Sequence, residues 1–70
     1  MFDYSALSGR IREFYGTQGA FGKALGVSER TISLKMNGVI CWKQTEIADA
    51  CALLKIDEGQ IAKYFFTAKV

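Results

Sequence analysis

The sequence predicts an all-α fold: a compact bundle of about five short helices, followed by a tail of strand-like composition. Three observations predict it. Apolar residues recur every three or four positions in successive short segments. Glycines and small polar capping residues stand at the ends of those segments. Proline, which would interrupt a helix, is absent from all 70 positions.

The first helix opens at Asp3, an N-cap preceded by Phe2, which has the spacing of a hydrophobic staple with Leu7. Tyr4, Leu7, Ile11 and Phe14 give it one apolar face, and Gly16 ends it. Thr17 caps a second helix with Phe21, Leu25 and Ala24 as its apolar positions, closed by Gly26. Ser28 caps a third, with Ile32 and Met36 on its inner side and Asn37-Gly38 as a turn after it. The loop VICWK carries the single tryptophan, Trp42, which reads as a core anchor. A fourth helix runs from about Gln44 to Lys55, with Ile47, Cys51 and Leu54 inward. Asp57 and Gln60 have capping-box spacing and open a short fifth helix. In YFFTAKV, Tyr64, Phe66, Ala68 and Val70 alternate with Phe65, Thr67 and Lys69, the pattern of an extended arm. Helices this short are unstable alone and must pack together, so residues 1–70 are read as one domain.

Composition narrows the functional classes. Half the residues are hydrophobic and 23% are charged, which is the profile of a folded chain. No apolar run approaches the roughly 20 residues of a membrane span, and MFDYSALSGR lacks the order of a secretory signal. The two cysteines, Cys41 and Cys51, have no histidine anywhere to join them. That argues against a zinc site and a Cys-His nucleophile, and the cysteines read as buried free thiols. No metal, no cofactor and no enzymatic activity are expected. Glu46 and Asp49 share a helix face but read as solubilising charge. The net charge is +2, unevenly placed: net +4 from Arg10 to Lys43 and net −1 from Gln44 onward. That is either a footprint for nucleic acid or an uneven solvated surface.

The most informative segment is TQGAFGKALGVSERTISLKMNG, from Thr17 to Gly38. Two short helices about a glycine turn make a helix-turn-helix. Gly22, four before Gly26, is the very small residue that close crossing requires. The pattern resembles the Xre/Cro group of lambda-repressor-like regulators, on Gln18, Gly22, Gly26, Val27, Ile32 and Asn37-Gly38. The continuation KMNGVICWKQTEIADACALLKI and the ending YFFTAKV are similar to small phage-borne members. The chain departs from the group at Lys35, where an apolar residue is usual, and at Lys43, where a Ser, Thr or Asp cap is usual. The lysine at 35 must either snorkel outward or leave Met36 to fill the core.

The resemblance implies a transcriptional regulator of phage type, in the cytoplasm of a bacterial host. It binds double-stranded operator DNA with a recognition helix at about Ser28–Met36 in the major groove. Ser28, Glu29, Arg30, Ser33 and Leu34 would face bases, with Arg30 suited to guanine. Gln18, Asn37, Lys43, Lys35 and Lys23 would approach phosphates. Plainer readings stand beside these: Arg30 as a solvated residue, Glu29 as a first-turn acid, Asn37 as a turn former, and Leu34 as a protein contact. A homodimer through the C-terminal arm is expected on a two-fold operator. The alternative is a protein-interaction module that binds and modulates another repressor, occupying that repressor's DNA-reading surface without reading DNA itself.

Overall fold

The computed structural model describes residues 2–68. Leu7 and Ile11 bring the first helix, α1 (Ser5–Tyr15), against the rest of the chain, both being buried. Asp3 does assist its start: the carboxylate accepts from the Ser5 backbone N–H at 2.9 Å. The Phe2 ring, expected to staple onto Leu7, stands edge-on to Phe66 at 5.6 Å and is 44% exposed. Phe14, expected on the apolar face, is 37% exposed. The Arg10 guanidinium lies over its ring, 4.4 Å from the centroid.

Four further helices follow: α2 (Gln18–Leu25), α3 (Glu29–Met36), α4 (Gln44–Leu54) and α5 (Ile61–Phe65), the last preceded by a 3-10 turn at Glu58–Gln60. The core takes Phe21 from α2, Ile32 from α3, Ala50 and Leu54 from α4, then Ile56, Tyr64 and Phe65. Trp42 anchors the long loop on this core, edge-on to Phe65 at 5.2 Å. The radius of gyration, 10.9 Å, is what a compact 70-residue bundle should have. Among the described residues no helix is long and apolar enough to cross a membrane.

Several local expectations need correction. The Asp57 side chain makes no cap; the turn there is closed by Gln60 N–H donating to the Asp57 carbonyl at 2.8 Å. Of the two thiols, Cys51 is half-buried, with burial pushing its pKa up, while Cys41 is exposed. Tyr64 and Phe65, read as the start of an extended arm, belong instead to α5. Tyr64 and Phe65 are neighbours on α5 and both are buried, so helical packing of two adjacent aromatics overrides the alternating pattern. Beyond it, Ala68 pairs with Phe2 in an antiparallel bridge, and Asp3 N–H donates to the Thr67 carbonyl at 2.7 Å. These contacts hold the start of the chain against the residues that follow α5. Lys69 and Val70 of that arm lie outside the described residues.

Arg10 was counted in the positive stretch from Arg10 to Lys43, but it is committed internally. Its Nε donates to the Leu54 carbonyl at 2.9 Å and an Nη to the Lys55 carbonyl at 3.1 Å. These are carbonyls at the end of α4, which has no other basic group in its last turn. Arg10→Ala is expected to lower stability by about 1 kcal/mol, read as an earlier urea midpoint with an unchanged slope.

Candidate interaction surface

The α2–α3 pair is built as its sequence requires. The Thr17 side chain accepts from Ala20 N–H at 3.1 Å, and the Ser28 hydroxyl accepts from Thr31 N–H at 3.1 Å. Gly26 closes α2 with φ +88°, a left-handed conformation that glycine adopts freely. Gly22 lies directly against Ile32: a Cβ there would stand 2.9 Å from Ile32 Cγ2.

The residues expected to face bases lie on and beside the outer side of α3. Ser28, Glu29 and Arg30 are exposed, while Ser33 and Leu34 are half-buried. Ser28 is occupied as a cap, also donating to Thr31 Oγ1 at 2.8 Å. Glu29 reaches back over the first turn of α2, where its Cδ is 3.4 Å from the place of a Cβ on Gly19. Its carboxylate thus lies at the helix N-terminus where Gln18 was expected to hold a phosphate, and it would repel one. Asn37 ends α3, with its Nδ2 at 3.5 Å from Ser33 Oγ. Lys23 and Lys43 are exposed.

Lys35 departs most from expectation. It is 3% exposed, and its Nζ donates to Glu46 Oε1 at 2.7 Å and to the Cys41 carbonyl at 3.0 Å. The Trp42 ring centroid is 5.8 Å away. The ammonium neither snorkels outward nor is available to a phosphate, because a carboxylate and a carbonyl meet it inside. The same Glu46 Oε1 accepts from Lys43 N–H at 2.8 Å, so Glu46 opens α4 where a side-chain cap is missing. Burial pulls the Glu46 carboxyl upward. The hydrogen bonds from Lys35 and Lys43, with their charges, outweigh it and hold the pKa below the ordinary carboxylate value.

This pair fastens the loop between α3 and α4. The loop also folds back on the Leu34 carbonyl, which accepts from Val39 N–H at 2.9 Å and Ile40 N–H at 3.4 Å. Held this way, the loop presents two aliphatic side chains to solvent, Val39 at 66% and Ile40 at 38% exposure. Exposed aliphatics on a fastened loop suit a protein surface better than phosphate oxygens.

A second feature escaped the sequence reading. Along α1, Ser5, Ser8, Gly9 and Arg12 form one wall of an open groove of about 500 Å³, faced by Gln18, Met36 and Asn37. A smaller depression continues it past Arg12 to Gly16 and Thr17. Gly9 is internal to a helix, where glycine costs about 1 kcal/mol relative to alanine. Nothing in the chain lies within 4 Å of where its Cβ would be, so no internal contact requires the glycine. The positions 5, 8, 9 and 12 have helical spacing and could have been seen in the sequence as a small-residue face ending in arginine. The opposing wall depends on tertiary packing.

Comparison with known proteins gives the frame for these features. The solution structure of the modulator of repression (MOR) of the temperate bacteriophage TP901-1 from Lactococcus lactis matches with 51% sequence identity and a TM-score of 0.84. The match covers 99% of this chain and 93% of that one. No curated protein matches. The expected operator-reading repressor is corrected by this finding: the protein matched at this identity is a modulator of repression. The match assigns no role to Ser28, Glu29, Arg30, Ser33, Leu34, Gln18, Asn37, Lys43 or Lys23, while the fold itself withdraws Lys35 from phosphate contact by spending it on Glu46. A family model described as protein of unknown function (DUF739) matches residues 1–68, and the chain belongs to that family.

Proposed function

We propose that this protein is a non-catalytic interaction module that binds a phage repressor and lowers that repressor's hold on its operator, without reading DNA itself. The observation that carries this reading is the 51% identity, across nearly the whole chain, to a phage modulator of repression. Three local features support it. The lysine expected to meet phosphate is spent on Glu46. The Glu29 carboxylate lies over the α2 N-terminus. Val39 and Ile40 stand out as apolar side chains beside α3. The likeness to Xre/Cro regulators then reflects a shared helical frame turned to protein contact. Its place of action is the cytoplasm of the bacterial host, where the repressor works.

Calorimetric titration with the full-length repressor of the same phage, beside anisotropy with that repressor's labelled operator, tests the reading. Binding to the repressor at a Kd of about 1 μM or tighter is expected, with no anisotropy change from this protein alone at low salt. Salt-sensitive operator binding by this protein alone, or no heat with the repressor, contradicts it.

A further inference from the structure

The groove along α1 is a docking site of its own, and we infer that it receives a helix of the partner repressor, laid along α1 with a carboxylate facing Arg12. The inference rests on the modulator reading above and assigns it a surface.

Shape and charge carry it. From Ser5 to Arg12 the groove wall spans about 10 Å of helix, or two turns, which matches a short helical segment better than a compact small molecule. Its volume is about 500 Å³. Gly9 sits in the middle of that wall, with no contact in the chain to account for it. A missing Cβ there lets a second backbone approach α1 closely, as small residues do wherever helices pack tightly.

Arg12 sets the chemistry. It is exposed, and among the described residues its guanidinium has neither an ion pair nor a hydrogen bond. Arg10, two residues earlier, is fully engaged at the end of α4. Beside Arg12 lie Gln18 and Thr17, at the N-terminal end of α2. The α2 N-terminus itself is already faced by the Glu29 carboxylate, so the unpaired guanidinium, with the Gln18 amide beside it, is what suits this end of the groove to a carboxylate. The Asp3 carboxylate lies at the far end, where it accepts from the Ser5 backbone. A helix with its acidic residue at the Arg12 end therefore fits, and one with basic residues there does not.

The test is calorimetric titration of the full-length repressor with four forms of this protein: wild type, Gly9→Gln, Arg12→Ala and, as a control on another helix, Ala52→Gln. Ala52 is exposed on α4 and does not line the groove. Gly9→Gln meets nothing within the chain, so its melting temperature should rise by roughly 4 °C while repressor affinity falls at least about tenfold. Arg12→Ala should weaken binding about tenfold and flatten its salt dependence. Ala52→Gln should bind as wild type does. Gly9→Gln or Arg12→Ala binding like wild type overturns the groove and leaves the modulator reading standing. Wild type failing to bind overturns both.

Discussion

Glu46→Ala is expected to cost about 3 kcal/mol of folding stability, out of roughly 4–10 kcal/mol for a chain of this size. The reason is the ammonium it abandons. Lys35 is 3% exposed, and Glu46 Oε1 at 2.7 Å is its charge partner. Without the carboxylate, a buried cation keeps only the Cys41 carbonyl, and the Lys43 N–H at the start of α4 loses its acceptor as well. Lys35→Met removes the charge with its need for a partner, and should fall within about 1 kcal/mol of wild type. Urea unfolding of the three proteins at neutral pH separates these cases. Equal midpoints for Glu46→Ala and wild type would contradict the buried pair.

The same pair makes stability depend on pH. The Glu46 pKa is lowered in the folded state from an ordinary value of 4.5. Its contribution is therefore present above that value and is lost as pH falls through the lower folded one. The stability gap between wild type and Glu46→Gln should narrow as pH drops from about 5 to about 3.

Gly22→Val is expected to cost about 3 kcal/mol, and Gly22→Ala about 1, the alanine recovering about 1 through its better helix propensity. An added Cβ would stand 2.9 Å from Ile32 Cγ2 and 3.2 Å from Ile32 Cβ. Both positions are buried between α2 and α3, so the Ile32 side chain cannot swing away from an added methyl. Ile32→Ala removes the opposing methyl, and the double variant Gly22→Ala with Ile32→Ala should be less destabilised than the single costs summed. Strict additivity in a denaturation cycle would mean the two helices do not meet at this point.

These two sites differ in how far the sequence revealed them. Gly22 was legible because its requirement is local: a helix, a glycine turn four residues later and an apolar position on the next helix. Thr17, Gly26 and Ser28 were legible for the same reason, as were Leu7, Ile11, Phe21 and Leu54 in the core. Lys35 was not, because its partner lies eleven positions on, across a loop whose path no periodicity records. The part played by Arg10 was hidden for a longer-range version of that reason, its acceptors lying 44 and 45 residues away. The tail misled because alternating aromatics suit a strand, whereas burying Tyr64 and Phe65 together against the core outweighed that preference.

Function was less legible still. A helix pair about a glycine turn is a frame, and side chains on its surface decide whether it meets base edges or another protein. The sequence reading placed Lys35 on that surface and Glu29 in a base-facing role; the fold buries the first and sets the second over α2. The groove was hidden because Gln18 and Asn37, nineteen residues apart in sequence, become neighbours of Arg12 only when α1, α2 and α3 pack.

The central claim is that this protein acts on a repressor, and it is tested most directly with the repressor already on DNA. Labelled operator, saturated with the full-length repressor of the same phage, would be titrated with this protein while anisotropy is followed. The account predicts that anisotropy falls to that of free DNA, with an apparent operator affinity at least about tenfold weaker at saturation. An anisotropy that holds steady throughout, with repressor affinity unchanged, would contradict it.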